Sequence, residues 1–373
     1  SKGIINIDDF DGTQSGYDLR FPPISWNLTS TPFQATDRSG NILFPEAALI
    51  NDINYGKNRA KIAWYQIEPT LQLYKGSNNP YSNDRVELSD PRVRQVYQRE
   101  IFPQRTTGFG ESLLNTFDLA YFPNQRGPYN YDDAAASVNA NGTLRNPNQR
   151  WGGLMRAIDQ TDFETANIEF IEFWLQDPYI NYPAKGLTYP ATASGKLYFN
   201  LGNISEDILK DGYRFYENGL PTPNAPSPVT NSNWGRVPSN PVQVTNAFSN
   251  DPDDRKYQDI GFDGLDDTAE VTKRSAYLAN LAANFGTGSI TYRQALLDPS
   301  ADNYHYYRGD DLDQQAGIGI IGRYKNYNNP EGNSPINNGS TFSSASTLYP
   351  DAEDLNRDNT LNQTEEYFQY IVD

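Results

Sequence analysis

The sequence predicts a mainly β protein with some α: a jelly-roll-like β-sandwich core with inserted helices and long loops, and one EF-hand-like calcium loop near the C-terminus. Three observations lead there. Aromatic residues make up 13% of the 373 positions, with 26 Tyr and 18 Phe, and such side chains favour pleated, half-buried surfaces. Gly and Pro, at 28 and 25 residues, stand with abundant Asn and Asp, which mark turns and long structured loops. Short apolar runs recur between these breaks with strand-like spacing.

Taken in order, Ala60–Ile67 (AKIAWYQI) reads as the first strand. Asp90-Pro91 then caps a helix whose stripe is Val93, Val96, Tyr97 and Ile101, Pro being pre-organised for a first turn. Thr116–Phe122 is a second strand. Asn167–Leu175 (NIEFIEFWL) is the strongest: Ile168, Phe170 and Trp174 line one face, Ile171, Phe173 and Leu175 the other. A strand apolar on both faces is expected at the centre of a sheet, covered on both sides. Lys196–Leu201 (KLYFNL) follows, ended by Gly202, and Ser205-Glu206-Asp207 opens a helical turn whose acids suit the N-terminal dipole. A longer helix spans about Ala269–Phe285, with Leu278, Leu281, Ala282 and Phe285 on one face and Gly286 as its stop. Residues 221–250 and 325–350, rich in Pro, Asn, Ser and Gly, read as surface loops. There is no internal repeat. Residues 1–373 form a single soluble β-rich domain in this reading, divisible into a sandwich lobe (about 1–220) and a loop and helix lobe (about 221–373).

The most specific local signal is DLNRDNTLNQTE, Asp354 to Glu365. Counting Asp354 as position one, Asp354, Asn356, Asp358, Asn362 and Glu365 place oxygen donors at one, three, five, nine and twelve. Thr360, at seven, offers its backbone carbonyl. Ca²⁺ takes about six to eight hard oxygen ligands at roughly 2.3–2.6 Å, the last commonly a bidentate Glu. Asn359 stands where glycine is usual, and Asn enters the left-handed region more readily than most residues. Pro350 occupies the place of an entering helix, so an isolated calcium loop is expected rather than a full EF-hand. The competing reading is an acidic, Asn-rich surface turn.

Composition removes several chemistries. The chain has no cysteine and one histidine, His305, which excludes disulfides, thiol nucleophiles and Cys-based zinc sites. A net charge of −17 argues against nucleic acid as a partner. Absence of Cys together with a calcium loop suits an extracytoplasmic setting. No apolar run reaches the roughly 20 residues of a membrane helix. Asp132/Asp133 and Glu169/Glu172 are the conceivable glycosidase pairs, but Glu169 and Glu172 fall on opposite faces of a strand, and a non-enzymatic protein is expected. Arg308-Gly309-Asp310 is too short a tripeptide to carry an adhesion function. Asp251–Asp254 with Asp259, Asp263, Asp266 and Asp267 form a second acidic cluster, read as a solvated surface before a cation site.

Several blocks together resemble one family. They are IDDFDGTQSGYDLRFPPISWNL (7–28), FDLAYFPNQRGPYNY (117–131), RWGGLMRAI (150–158), TDFETANIEFIEFWLQDPY (161–179), KLYFNLGNISEDILKDG (196–212) and DLNRDNTLNQTEEYFQY (354–370). The chain is similar in these blocks to the SprA/Sov family, the very large outer-membrane translocon of the type IX secretion system linked to gliding motility. Its members form one giant barrel of 36 strands, the size of the largest barrels known. This chain lacks the successive ten-residue alternating segments of such a wall. The resemblance therefore implies a soluble segment at the outer membrane, an extracellular cap or gate over the barrel mouth, with a periplasmic position as the alternative. Implied partners are the remaining barrel, a porin-like shuttle, a plug protein and secreted cargo. A second reading, from IEFIEFWL and GKLYFNLGNISEDI, is a calcium-stabilised carbohydrate-binding β-sandwich module whose exposed aromatics stack on surface glycan.

Overall fold

The computed structural model describes residues 18–104, 112–160, 162–165, 168, 170–239, 247–334 and 347–372. Ten strands occur among them: β1 Asn27–Leu28, β2 Ala60–Tyr65, β3 Val96–Tyr97, β4 Leu113–Leu114, β5 Asp118–Arg126, β6 Leu154–Met155, β7 Leu197–Asn203, β8 Val229–Asn231, β9 Arg236–Pro238 and β10 Glu366–Val372. They pair antiparallel as β1–β6, β2–β5, β3–β4, β7–β10 and β8–β9. No sheet among the described residues is wider than two strands, so the architecture is mixed α/β with small sheets. It is neither the expected sandwich nor a closed barrel.

Side chains take over the role of the missing ladders. A buried irregular chain must find partners for its backbone groups, and here Arg and Asn supply them. Arg59, wholly buried, donates to Pro128 O at 3.2 Å, Ile208 O at 3.1 Å and Thr29 O at 3.4 Å. Asn79 Nδ2 donates to Leu71 O and Leu73 O, and Asn130 Nδ2 to Arg59 O. Two apolar clusters result. The larger gathers Tyr129, Phe215, Trp234, Phe262 and Leu281; the smaller gathers Tyr65, Leu71, Val93, Ile320 and Tyr324. In the smaller, the Tyr324 ring stacks between Tyr65 and Tyr307, with centroids 4.1 and 4.4 Å away.

Strands β2 and β5 fall where the alternation predicts them, and every residue of β2 is buried. Other elements depart from expectation for identifiable reasons. The apolar run 167–175 is no central strand: its described residues take irregular backbone, and Phe170, Phe173, Trp174 and Leu175 are exposed. Asn167 and Glu169 lie outside the described residues. Asp90 accepts from Arg92 N, but only one turn follows it, and its carboxylate also holds the Arg92 and Lys185 side chains. Val96 and Tyr97 then pair with β4, and one turn, Gln98–Ile101, forms instead.

The expected helix over 269–285 is two helices, Asp267–Lys273 and Ser275–Phe285, broken at Arg274. That side chain plunges against the Tyr131 ring, 4.3 Å from its centroid, and donates to Asn233 O. Gly286, with φ +79°, ends the second helix as predicted. Gly202 does not end β7 but sits within it, at φ +144°, where a Cβ would meet Glu366 O at 2.4 Å. No helical turn follows Ser205; Glu206 is instead used on the C-terminal loop. Within 221–250 the chain forms the β8–β9 hairpin. No helix among the described residues is long and apolar enough to cross a membrane.

Candidate functional site: the C-terminal loop and the ribbon it feeds

The first half of the Asp354–Glu365 loop is held by its own side chains. Asp354 accepts from Asp358 N (3.0 Å) and Asn359 N (2.9 Å), Asn356 Oδ1 accepts from Asp358 N, and Asp358 Oδ1 accepts from Thr360 N at 2.8 Å. Arg357 and Asn359 take left-handed φ values of 61° and 66°. Asn therefore adopts the conformation that glycine would bring to that position. Glu206 grips the loop from outside: its carboxylate accepts from Leu355 N, Asn356 N and Asn362 N.

The second half faces elsewhere. Asn362 Oδ1 accepts from Thr364 N. Glu365 Oε2 accepts from Phe33 N at 2.9 Å, while its other oxygen is buried without a partner. Burial raises the Glu365 carboxyl to about 7, against the pull of nearby Lys210. Asp354, Asp358 and Glu365 do not converge within 4.8 Å of one another. Asp354, Asn356, Asp358 and Thr360 thus lie in one turn, with Asn362 and Glu365 directed to other partners.

Directly after Glu365 the chain enters β10, which pairs with β7 from Glu366↔Asn203 to Val372↔Leu197. The ribbon has two unlike faces. Inward, Gln369 Nε2 donates to Thr36 O and the Tyr367 hydroxyl to Phe33 O. Outward stand Phe368 (77% exposed) and Tyr370 (56%), directly opposite Leu201 and Phe199, with Val372 opposite Leu197. Phe173, from the run that forms no strand, packs on Phe199 with centroids 5.2 Å apart. In the same run Phe170 (73%) and Trp174 (66%) are also exposed, Trp174 against the Phe102 ring. Along β10 exposed and half-buried residues alternate strictly. Its pattern was present in KLYFNL and EYFQYIV, but β10 was hidden by the reading of the adjoining loop.

The remaining candidates are engaged in structure. His305 Nε2 pairs with Asp311 and Nδ1 with Tyr306 O. Arg308 of the RGD tripeptide is largely buried and holds Glu68 through Nε at 2.8 Å and Nη2 at 2.7 Å. That pairing, above all, lowers Glu68 to about 2. Asp132 pairs with Arg150 at 3.0 Å, and Asp133 accepts from Asn280. The 251–267 acidic cluster divides: Asp251, Asp253 and Asp266 are exposed, whereas Asp254, Asp259 and Asp263 are buried.

Residues 276–373, which include the calcium-type loop and β10, match the family model SprA_N, described as a motility related/secretion protein. No curated protein matches the chain. The chain is thus of the motility and secretion class. That match spans 98 of the 373 residues and supports the resemblance to the SprA/Sov family carried by the blocks from 7 to 370.

Proposed function

We propose that this chain is a non-enzymatic segment of an outer-membrane protein-secretion translocon, acting as an extracellular cap or gate and docked to the remaining barrel through the β7–β10 ribbon. The observation that carries this reading is the outward face of that ribbon. Leu197, Phe199, Leu201, Phe368, Tyr370 and Val372 form an apolar stripe, extended by Phe173 through its contact with Phe199. Contiguous exposed apolar surface of this kind marks an interaction site more often than a bare protein surface. The Asp354–Glu365 loop, binding Ca²⁺, would fix the entry of β10 into the ribbon, a structural role. Porin-like shuttle, plug and cargo proteins are the further partners of this assignment. Sugar stacking has less support: the exposed ring pairs Phe102–Trp174 and Phe173–Phe199 meet at 84° and 51°, not as a flat platform.

Photo-crosslinkers placed at Phe368 and Phe170 in the intact parent test the reading. Bonds to the remaining barrel are expected, with the segment accessible to impermeant reagents on whole cells. Crosslinks confined to periplasmic components would end the cap assignment. Absence of any crosslink within the translocon would end the docking assignment too.

A further inference from the structure

Deep in the larger core, carboxylates from four separate parts of the chain meet. Asp263 lies in a turn between Gly261 and Gly264, both left-handed at φ near +70°. Glu270 is on the helix Asp267–Lys273, and Asp302 follows the helix Ile290–Leu297. Glu331 is bridged to Ile260 and Asn303. Oxygens of Asp263, Glu270 and Asp302 all lie within 4.8 Å of one another, and those of Asp267, Glu270 and Glu331 do likewise. Two oxygens bound across one Ca²⁺ at about 2.4 Å each are separated by at most about 4.8 Å.

Burial decides what these groups require. Glu270 and Asp302 have no solvent exposure, and Asp263 has 1%. Ser300 fixes two of them from one side, N–H to Glu270 Oε2 at 3.1 Å and Oγ to Asp263 Oδ2 at 2.9 Å. Yet Glu270 Oε1, Glu331 Oε2 and both Asp302 oxygens are buried without a hydrogen-bond partner. Positive charge is short. Arg274 stands 3.6 Å from Asp263, and the Lys61 ammonium, which acts on Asp302 from a distance, donates to Asn329 Oδ1. Five carboxylates thus face three cations, Arg274, Lys61 and Arg126, the last acting on Glu270, and an uncompensated buried charge costs several kcal/mol. A shared proton could settle Asp263 with Glu270, but it leaves Asp302, beside the Tyr129 hydroxyl, to be neutralised separately.

We propose that Asp263, Glu270 and Asp302 form a buried binding site for a hard divalent cation of the calcium type, separate from the Asp354–Glu365 loop. The ion occupies the space on which the unpartnered oxygens converge and cross-links the turn at 263, the helix at 270 and the segment at 302. Glu270 is common to both triads. An all-carboxylate oxygen set favours calcium over softer metals.

The whole 1–373 chain, stripped by chelator and carrying Asp354→Asn and Glu365→Gln to silence the C-terminal loop, is titrated with Ca²⁺ in a calorimeter and melted with and without it. Retained binding and a Tm rise of about 2–5 °C at a hundredfold excess over Kd are expected. Adding Asp302→Asn should weaken Ca²⁺ binding at least 100-fold while raising Tm in chelator, since it removes a buried charge. Glu270→Gln serves as the second variant if Asp302→Asn fails to fold. No binding in the loop-silenced chain would overturn the proposal. So would an Asp302→Asn variant stabilised equally with and without Ca²⁺, the result expected if protons alone neutralise the cluster.

Discussion

Replacing Phe368 and Tyr370 together by Thr separates docking from folding. Thr is a good strand former, so the β7–β10 pairing is kept while the outward aromatic surface is removed. With 77% and 56% of these residues exposed, and about 200 Å² for each aromatic side chain, roughly 260 Å² of mostly apolar area is free to be covered. At about 25 cal/mol per Å² this is a gross gain of ~6 kcal/mol on docking. Ordering costs and the Tyr hydroxyl reduce the realised part to about half, ~3 kcal/mol, or about a hundredfold in an opening equilibrium. Amide hydrogen exchange across 197–203 and 366–372 reads that equilibrium directly. The double substitution should speed exchange about 100-fold in the intact parent and less than 10-fold in the isolated chain. Equal effects in both settings would mean that the face is uncovered in the parent, and the docking argument would fail.

Arg59→Met should destabilise the isolated chain by about 3–5 kcal/mol in urea unfolding, because three buried carbonyls lose their donor; a loss under 1 kcal/mol would remove Arg59 as the organiser of Thr29, Pro128 and Ile208. In chelator, stability should fall between pH 5 and 8. Burial raises Asp118 and Asp211 to about 6 and Asp351 to about 7. The folded state then holds protons that the unfolded state has released, so this contribution is full below about pH 4 and is lost as pH rises through 6–7. Glu68 and Asp90, both lowered to about 2, act oppositely but only at lower pH, and a Tm that rises from pH 5.5 to 8 would contradict the assignment. For the C-terminal loop, Glu365→Ala should remove part of the Ca²⁺-dependent Tm rise, which amounts to about 2.7 kcal/mol at a hundredfold excess over Kd; a variant that melts as the parent does with Ca²⁺ and with EDTA would exclude Glu365 as a ligand.

What could be read from the sequence depended on how local the cause was. The β2 and β5 strands, the Gly286 stop and the left-handed turn at Asn359 are set by adjacent residues, and each stands where spacing places it. The break at Arg274 could not be read, because its cause is the face of Tyr131, more than a hundred residues away. The acidic stretch 251–267 was visible as composition. Which of its acids are buried depends on distant partners, Asn224 for Asp254, Asn333 and Ser334 for Asp259, Glu270 and Asp302 beside Asp263, which no spacing rule connects.

The apolar run 167–175 makes the same point from the opposite side. Two apolar faces in succession signify that the segment is to be covered, and within this chain only Phe173 against Phe199 and Trp174 against Phe102 are seen to supply ring contacts among its described residues. A sandwich follows from the sequence only if the covering layer lies inside the same chain. The β7–β10 ribbon shows the same excess: one face ordered on the body through Phe33 and Thr36, the other presenting Phe368 and Tyr370 outward. Burying both surfaces against one partner accounts for two features that a self-contained β domain leaves unexplained. That common cause favours docking to a larger assembly.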